Sequence, residues 1–171
     1  MSDLSRAAER AAAHSAALAL YARQWLDATA AQDVVQEALV RLLGQRVCPD
    51  EPVAWMYAAV RRAAIDAARS RDRRRKREGA MTETKPNWFQ HDEGAALDAD
   101  AAQRALTRLP HELREIVVLR IWAELGYADI ARITGVSVGT AHARFIEAMR
   151  RLRDALDVTE TGRSHDAGKR S

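Results

Sequence analysis

Apolar residues in this chain recur mostly three and four apart, the spacing of one face of an α-helix. Leu4, Ala8, Ala11, Ala12, Leu18, Tyr21, Ala22 and Trp25 form a loose stripe that predicts a helix over residues 4–27. Asp27-Ala28-Thr29-Ala30 reads as a break, with Thr29 placed to cap the next helix. Val34, Val35, Ala38, Leu39, Leu42 and Leu43 predict that second helix over 31–43, and Gly44 is placed to stop it. Beyond the loop 45–51, Pro52 suits the first turn of a helix, where a missing N–H costs little. Val53, Met56, Tyr57, Val60, Ala64 and Ala68 then make one apolar face, opposite Trp55, Arg62, Asp66 and Arg69. Residues 4 to about 77 therefore predict three helices packed as one unit.

The pattern lapses after Glu78. Gly79, Thr82, Thr84, Pro86, Asn87 and Gly94 mark a linker over 78–97, acidic at Asp92 and Glu93. Trp88 and Phe89 inside it fit an anchor onto either a domain or a partner. From Asp98 the helical spacing returns, with Ala101, Ala105, Leu106 and Leu109, and a new start at Leu109-Pro110. Leu113, Ile116, Val117, Leu119 (or Arg120) and Ile121 continue it to Trp122. A short helix from Tyr127 to Ile133, a turn at Thr134-Gly135-Val136 and a helix from Val138 capped by Ser137 describe a helix-turn-helix. On the last helix Val138, Ala141, Phe145, Met149 and Leu152 share one face, and Thr140, Ala143, Arg144, Glu147 and Arg151 the other. Such a motif reads base edges with the exposed face of its second helix, and it also fits an ordinary helical hairpin. Residues 158–171 carry few apolar side chains and are expected to be a disordered tail.

Composition narrows the picture. Apolar residues are 47% of the chain, aromatics 5%, with 8 glycines and 4 prolines, which points to an all-α protein with an alanine- and leucine-rich core. No apolar run reaches membrane-spanning length, so a soluble, cytoplasmic protein is expected, with no membrane insertion. The lone Cys48 excludes an internal disulfide, and no metal-binding spacing occurs. Net charge is only +3, yet Arg69-Ser70-Arg71-Asp72-Arg73-Arg74-Arg75-Lys76-Arg77 packs seven basic residues around one acid. That much like charge repels itself unless water or a polyanion compensates it, and arginine suits phosphate well. A solvated basic tail and a nucleic-acid contact both fit this run.

Taken together in order, these stretches resemble bacterial RNA polymerase sigma factors of the extracytoplasmic-function (ECF) type. The residues that carry the resemblance are Ala31-Gln32-Asp33-Val34-Val35-Gln36-Glu37-Ala38-Leu39-Val40-Arg41-Leu42, then Trp55-Met56-Tyr57-Ala58-Ala59-Val60-Arg61-Arg62-Ala63-Ala64-Ile65-Asp66 with the arginine run. They are followed by Leu109-Pro110 with Arg114 and Leu119, and by Tyr127-Ala128-Asp129-Ile130-Ala131 with Gly135-Val136-Ser137-Val138-Gly139-Thr140-Ala141-His142-Ala143-Arg144. The resemblance implies two small helical domains, 1–77 and 98–157. It also implies binding to core RNA polymerase through Asp33, Gln36, Glu37 and Arg41. It implies contact with the promoter −10 element, and its melting, through Trp55, Arg61, Arg62, Arg69, Arg71, Arg73 and Arg74, with the loop 45–51 trapping a flipped base. The −35 element falls to Ser137, Thr140, His142, Ala143, Arg144, Glu147 and Arg151. An anti-sigma factor is an expected further partner.

Some positions depart from the pattern. Ala63 stands where an asparagine is common, and His142-Ala143 replaces a more usual basic-polar pair. Glu147 is a poor neighbour for phosphate, so it is expected to accept from a cytosine amino group. A stand-alone helix-turn-helix regulator would account for residues 110–153 but not for the acidic and basic helices upstream. An enzyme would need clustered carboxylates or a nucleophile beside a base. His14, His91, His111, His142 and His165 are scattered instead, so no catalytic residue and no cofactor is expected.

Overall fold

The structure, a computed structural model, describes residues 3–79 and 104–167, with side chains as far as residue 157. The expected linker after Gly79, including Trp88, Phe89, Asp92 and Glu93, lies outside the described residues. The chain is all-helical there. Its elements are α1 (Asp3–Ala13), α2 (Ser15–Ala22), α3 (Ala28–Leu43), α4 (Pro52–Arg77), a short α5 at 104–108, α6 (His111–Val117), a π-helical turn (Val118–Trp122), α7 (Tyr127–Thr134) and α8 (Val138–Ala167).

Four helices, not three, build the first unit. The stretch expected as one helix bends at His14, whose φ of −92° and ψ of 5° interrupt the ladder between α1 and α2. The bend lets both segments pack on α3 and α4. α3 starts three residues earlier than the expected 31–43, because Asp27 and not Thr29 caps it: the Asp27 carboxylate accepts from the Ala30 N–H at 3.0 Å. We expect Asp27→Ala to cost about 1 kcal/mol, the usual worth of such a cap. Thr29→Ala, in the exposed first turn, should be near neutral, and thermal unfolding of the two variants distinguishes the caps.

α4 is the long rod of the sequence pattern. Pro52 opens it, and Met56, Tyr57, Val60 and Ala64 are buried along one side. Its last turn holds Arg74, Arg75, Lys76 and Arg77, where the helix dipole favours cations. Tyr21 packs edge-on against Tyr57 and Trp25, at 5.3 and 5.2 Å between ring centres, and closes the core with Leu18, Leu26 and Leu42.

In the second unit, Ile116, Val117, Val118, Leu119 and Ile130 are buried. The π-helical turn fits in an extra residue and so rotates the side chains at its far end relative to α6. Ile121 and Trp122, expected to continue the apolar face, are in consequence exposed. Gly135 ends α7 with a φ of 75°, a conformation that favours glycine. The Ser137 hydroxyl accepts from the Thr140 N–H at 3.0 Å and starts α8. Ala141 and Ala148 are buried and Val138 is exposed, since it sits at the free first turn of the helix. α8 runs on to Ala167, so residues 158–167, expected as a disordered tail, continue the helix. Nothing there but Gly162 opposes propagation, and extending a formed helix costs little compared with nucleating one. The two units share one continuous core, with α4 against α7 and α2 against the π-helical turn.

Candidate nucleic-acid and polymerase interface

α3 positions one candidate surface. Val34, Val35, Ala38 and Leu42 turn inward, and the helical period then sends Asp33, Gln36, Glu37 and Arg41 outward, all exposed. Arg41 donates to Glu37 at 2.5 Å one turn away. Beside this polar row runs a shallow groove between α2 and α3, lined by Ala19, Val35, Gln36, Leu39, Val40 and Leu43. Val40 is 69% and Leu43 54% exposed, which makes the surface apolar at one edge and acidic at the other. A mixed surface of that kind suits a protein partner better than a nucleic acid.

α4 positions a second surface, and its arginines divide into two groups. Arg62, Arg69 and Arg73 project into solvent. Arg74 is exposed too and donates to Glu78 at 2.9 Å. Arg71 is turned inward. It donates to the Trp25 carbonyl at 3.1 Å and to Asp27 at 3.3 Å, which ties the far end of α4 to the corner between α2 and α3. Arg61 is held by the buried Glu115 carboxylate at 2.7 Å. Burial works against the Arg61 charge, but the bond and the charge of Glu115 outweigh it and raise its pKa. Trp55 is half-buried, packs on the core and lines a cleft with Asp50 and Glu51.

The third surface is the start of α8. Ser137, Thr140, His142 and Ala143 are exposed, and Arg144 is half-exposed beside them. The His142 ring stands edge-on to Tyr127, 5.1 Å between centres, and Arg120 lies over the Tyr127 ring at 5.0 Å. α7 and α8 are thereby held at a fixed angle. One turn on, Glu147 accepts from Arg150 at 2.9 Å and from Arg151 at 2.6 Å. The Arg150 bond above all, with that of Arg151, lowers the Glu147 carboxyl to about 2. Both of its oxygens are thus committed to arginines, and because Arg150 also pairs with Asp154 at 2.8 Å, the charges of the cluster balance.

The structure brings the expected polymerase-binding residues together on α3 and the expected −35 residues together on α8. It divides the expected −10 residues, with Arg61 and Arg71 serving contacts within the protein. Glu115 was missed by sequence reading. No local signal marks it, since its partners Tyr21 and Arg61 stand 94 and 54 residues away. Among the described residues no group of side chains is placed to hold a metal ion, and no helix is long and apolar enough to cross a membrane.

These surfaces coincide with segments shared with known proteins. Residues 11–74 match the model for sigma-70 region 2, and residues 99–152 the model for sigma-70 region 4. The chain is 33% identical over 157 residues to the ECF RNA polymerase sigma factor SigL of Mycobacterium tuberculosis, covering 87% of this chain and 86% of that one. It is 31% identical over 159 residues to the RNA polymerase sigma-H factor of Pseudomonas aeruginosa, covering 82% and 78%. Its fold is similar to that of the sigma factor RpoE of Bartonella quintana, solved with the anti-sigma factor NepR. The TM-score is 0.68 at 22% identity, covering 88% of this chain and 96% of that one. A helix with an exposed polar row, an arginine-bearing rod and a capped helix-turn-helix, each inside a matched segment, identify the chain as a member of the ECF-type RNA polymerase sigma factors.

Proposed function

We propose that each of the three surfaces carries one task of a sigma factor. The exposed row Asp33, Gln36, Glu37 and Arg41, with the apolar edge at Val40 and Leu43, binds core RNA polymerase. Arg62, Arg69, Arg73 and Arg74 hold the backbone of the −10 element as the strands part, and Trp55 with the loop 45–51 receives an unstacked base. Arg61 and Arg71 join them only after leaving their present partners. Ser137, Thr140, His142, Ala143 and Arg144 read the −35 element through the major groove, with Arg151 on a neighbouring phosphate. Glu147 orients Arg150 and Arg151, and it reaches a cytosine amino group only by giving up those bonds. The protein acts in the cytoplasm with polymerase and catalyses no reaction of its own. An anti-sigma factor, such as the one held by the Bartonella relative, fits the α2–α3 groove as a competitor of polymerase.

The observation that best supports this reading is the helix-turn-helix itself. Gly135 and Ser137 cap both sides of the turn, so the first turns of α8 stand free with Thr140 and Arg144 outward. The test is binding of reconstituted holoenzyme to promoter fragments with intact or scrambled −35 elements. Arg144→Ala should reduce the preference for the intact element by about tenfold, as loss of one good base contact does. An unchanged preference would remove Arg144 from the reading surface.

A further inference from the structure

A side chain on a reading helix discriminates between bases only as well as its own orientation is fixed. The first turns of α8 pose that problem at His142. The Thr140 hydroxyl is already shared with Ser137, 2.8 Å away, and Ser137 also caps the helix. Ala143 has no polar group to offer. His142 and Arg144 are therefore the expected readers left without a polar partner among the described residues. His142 is the more exposed of the two. Water does not hold an imidazole in one place, and its two torsions leave several staggered orientations open on a helix surface.

What restricts the ring is Tyr127, at the first position of α7. The two rings stand at 88° with 5.1 Å between centres. In that geometry the positive edge of one ring meets the negative face of the other, and such a contact biases orientations by roughly two- to tenfold. Tyr127 is itself pinned. Its ring packs against Phe145 at 6.1 Å, and the Arg120 guanidinium lies over it at 5.0 Å. Arg120 also donates to the Leu125 carbonyl at 2.9 Å, so one side chain ties the π-helical turn to the loop before α7 and to the Tyr127 ring. In that loop Glu124 has a φ of 55°, a costly conformation that persists where surrounding contacts enforce it. The bond from Arg120 to Leu125 is one such contact.

We propose that Tyr127 is the positioning residue for His142: braced by Arg120 and Phe145, it holds the imidazole toward one base of the −35 element and so sets the choice of base there. This rests on the −35 reading given above. Tyr127 touches no nucleic acid in this scheme. It acts through the ring it orients, and Arg120 acts one step further back.

The test is selection by reconstituted holoenzyme from promoter fragments randomised through the −35 element, followed by sequencing. His142→Ala should flatten the preference at one position by about three- to tenfold, the loss of one base contact. Tyr127→Leu should flatten that same position to a similar degree and leave the others, including the one that Arg144→Ala alters, within about twofold. The two substitutions together should do no more than either alone, because each removes the same contact. Tyr127→Phe keeps the ring and every contact described, and should keep the preference. Should Tyr127→Leu lose helical signal by circular dichroism, Arg120→Met decides, with a smaller loss at the same position. A merely structural role would instead lower the preference at every position alike, and that result would overturn the proposal. So would a His142→Ala effect of full size in the Tyr127→Leu background, or a His142→Ala selection identical to wild type. A wild-type holoenzyme that enriches no −35 element at all would overturn the −35 reading itself.

Discussion

Asp33→Ala together with Gln36→Ala is expected to weaken binding to core polymerase at least about a hundredfold while leaving the fold intact. Both side chains are exposed on α3, and no hydrogen bond within the protein depends on them among the described contacts. Removing them therefore costs the monomer almost nothing. In the proposed polymerase complex the same groups would be desolvated at the centre of the contact, and truncating such a group costs about 2–4 kcal/mol, partly through the partner left unpaired. Glu37 and Arg41 already satisfy one another. Their ion pair is exposed and worth little to stability, so replacing that pair should have a smaller effect than replacing Asp33 and Gln36. Co-elution of chain and core, with circular dichroism on the free variants, measures both. A double variant that still co-elutes at wild-type affinity would move the polymerase contact elsewhere, with the apolar edge at Val40 and Leu43 the next surface to test.

The second large effect concerns α4. Replacing Arg62, Arg69 and Arg73 together by alanine should lower promoter-complex formation by the holoenzyme about 10²–10³-fold at moderate salt. The slope of log affinity against log salt should fall by about three, close to one for each phosphate contact removed. These three are exposed, and their loss disturbs no core contact. Arg71 is the internal contrast. It braces α4 against Trp25 and Asp27, so Arg71→Ala should lower thermal stability and change the salt slope little. A triple variant with an unchanged slope would show that the exposed arginines of α4 are merely solvated.

Much of this was legible in the sequence, for identifiable reasons. α4 was plain because Pro52 fixes its start and Met56, Tyr57, Val60 and Ala64 keep a strict period. The helix-turn-helix was plain because Gly135 and Ser137 are local signals with local causes. The bend at His14 carries neither glycine nor proline, so the pattern ran through it. Asp27 and Thr29 are both good caps, and only the backbone geometry chooses between them. The π-helical turn broke the apolar period at Ile121 and Trp122, and no residue type announces such a turn. The helix through 158–167 shows that polar composition alone does not end a helix already formed. At the candidate sites, period and charge placed the α3 and α8 residues on their faces. They could not show that Arg61 and Arg71 are engaged inside the protein, because those bonds join residues far apart in the chain.

The central claim is that this chain directs polymerase to promoters, and the most direct test is initiation itself. Purified chain is added to sigma-free bacterial core polymerase with a pool of promoter fragments, and transcript starts are mapped. The account predicts new, salt-sensitive starts sharing −10 and −35 elements, all lost with the Asp33 and Gln36 replacements. No initiation, together with tight duplex binding by the chain alone, would contradict it and mark a stand-alone helix-turn-helix regulator.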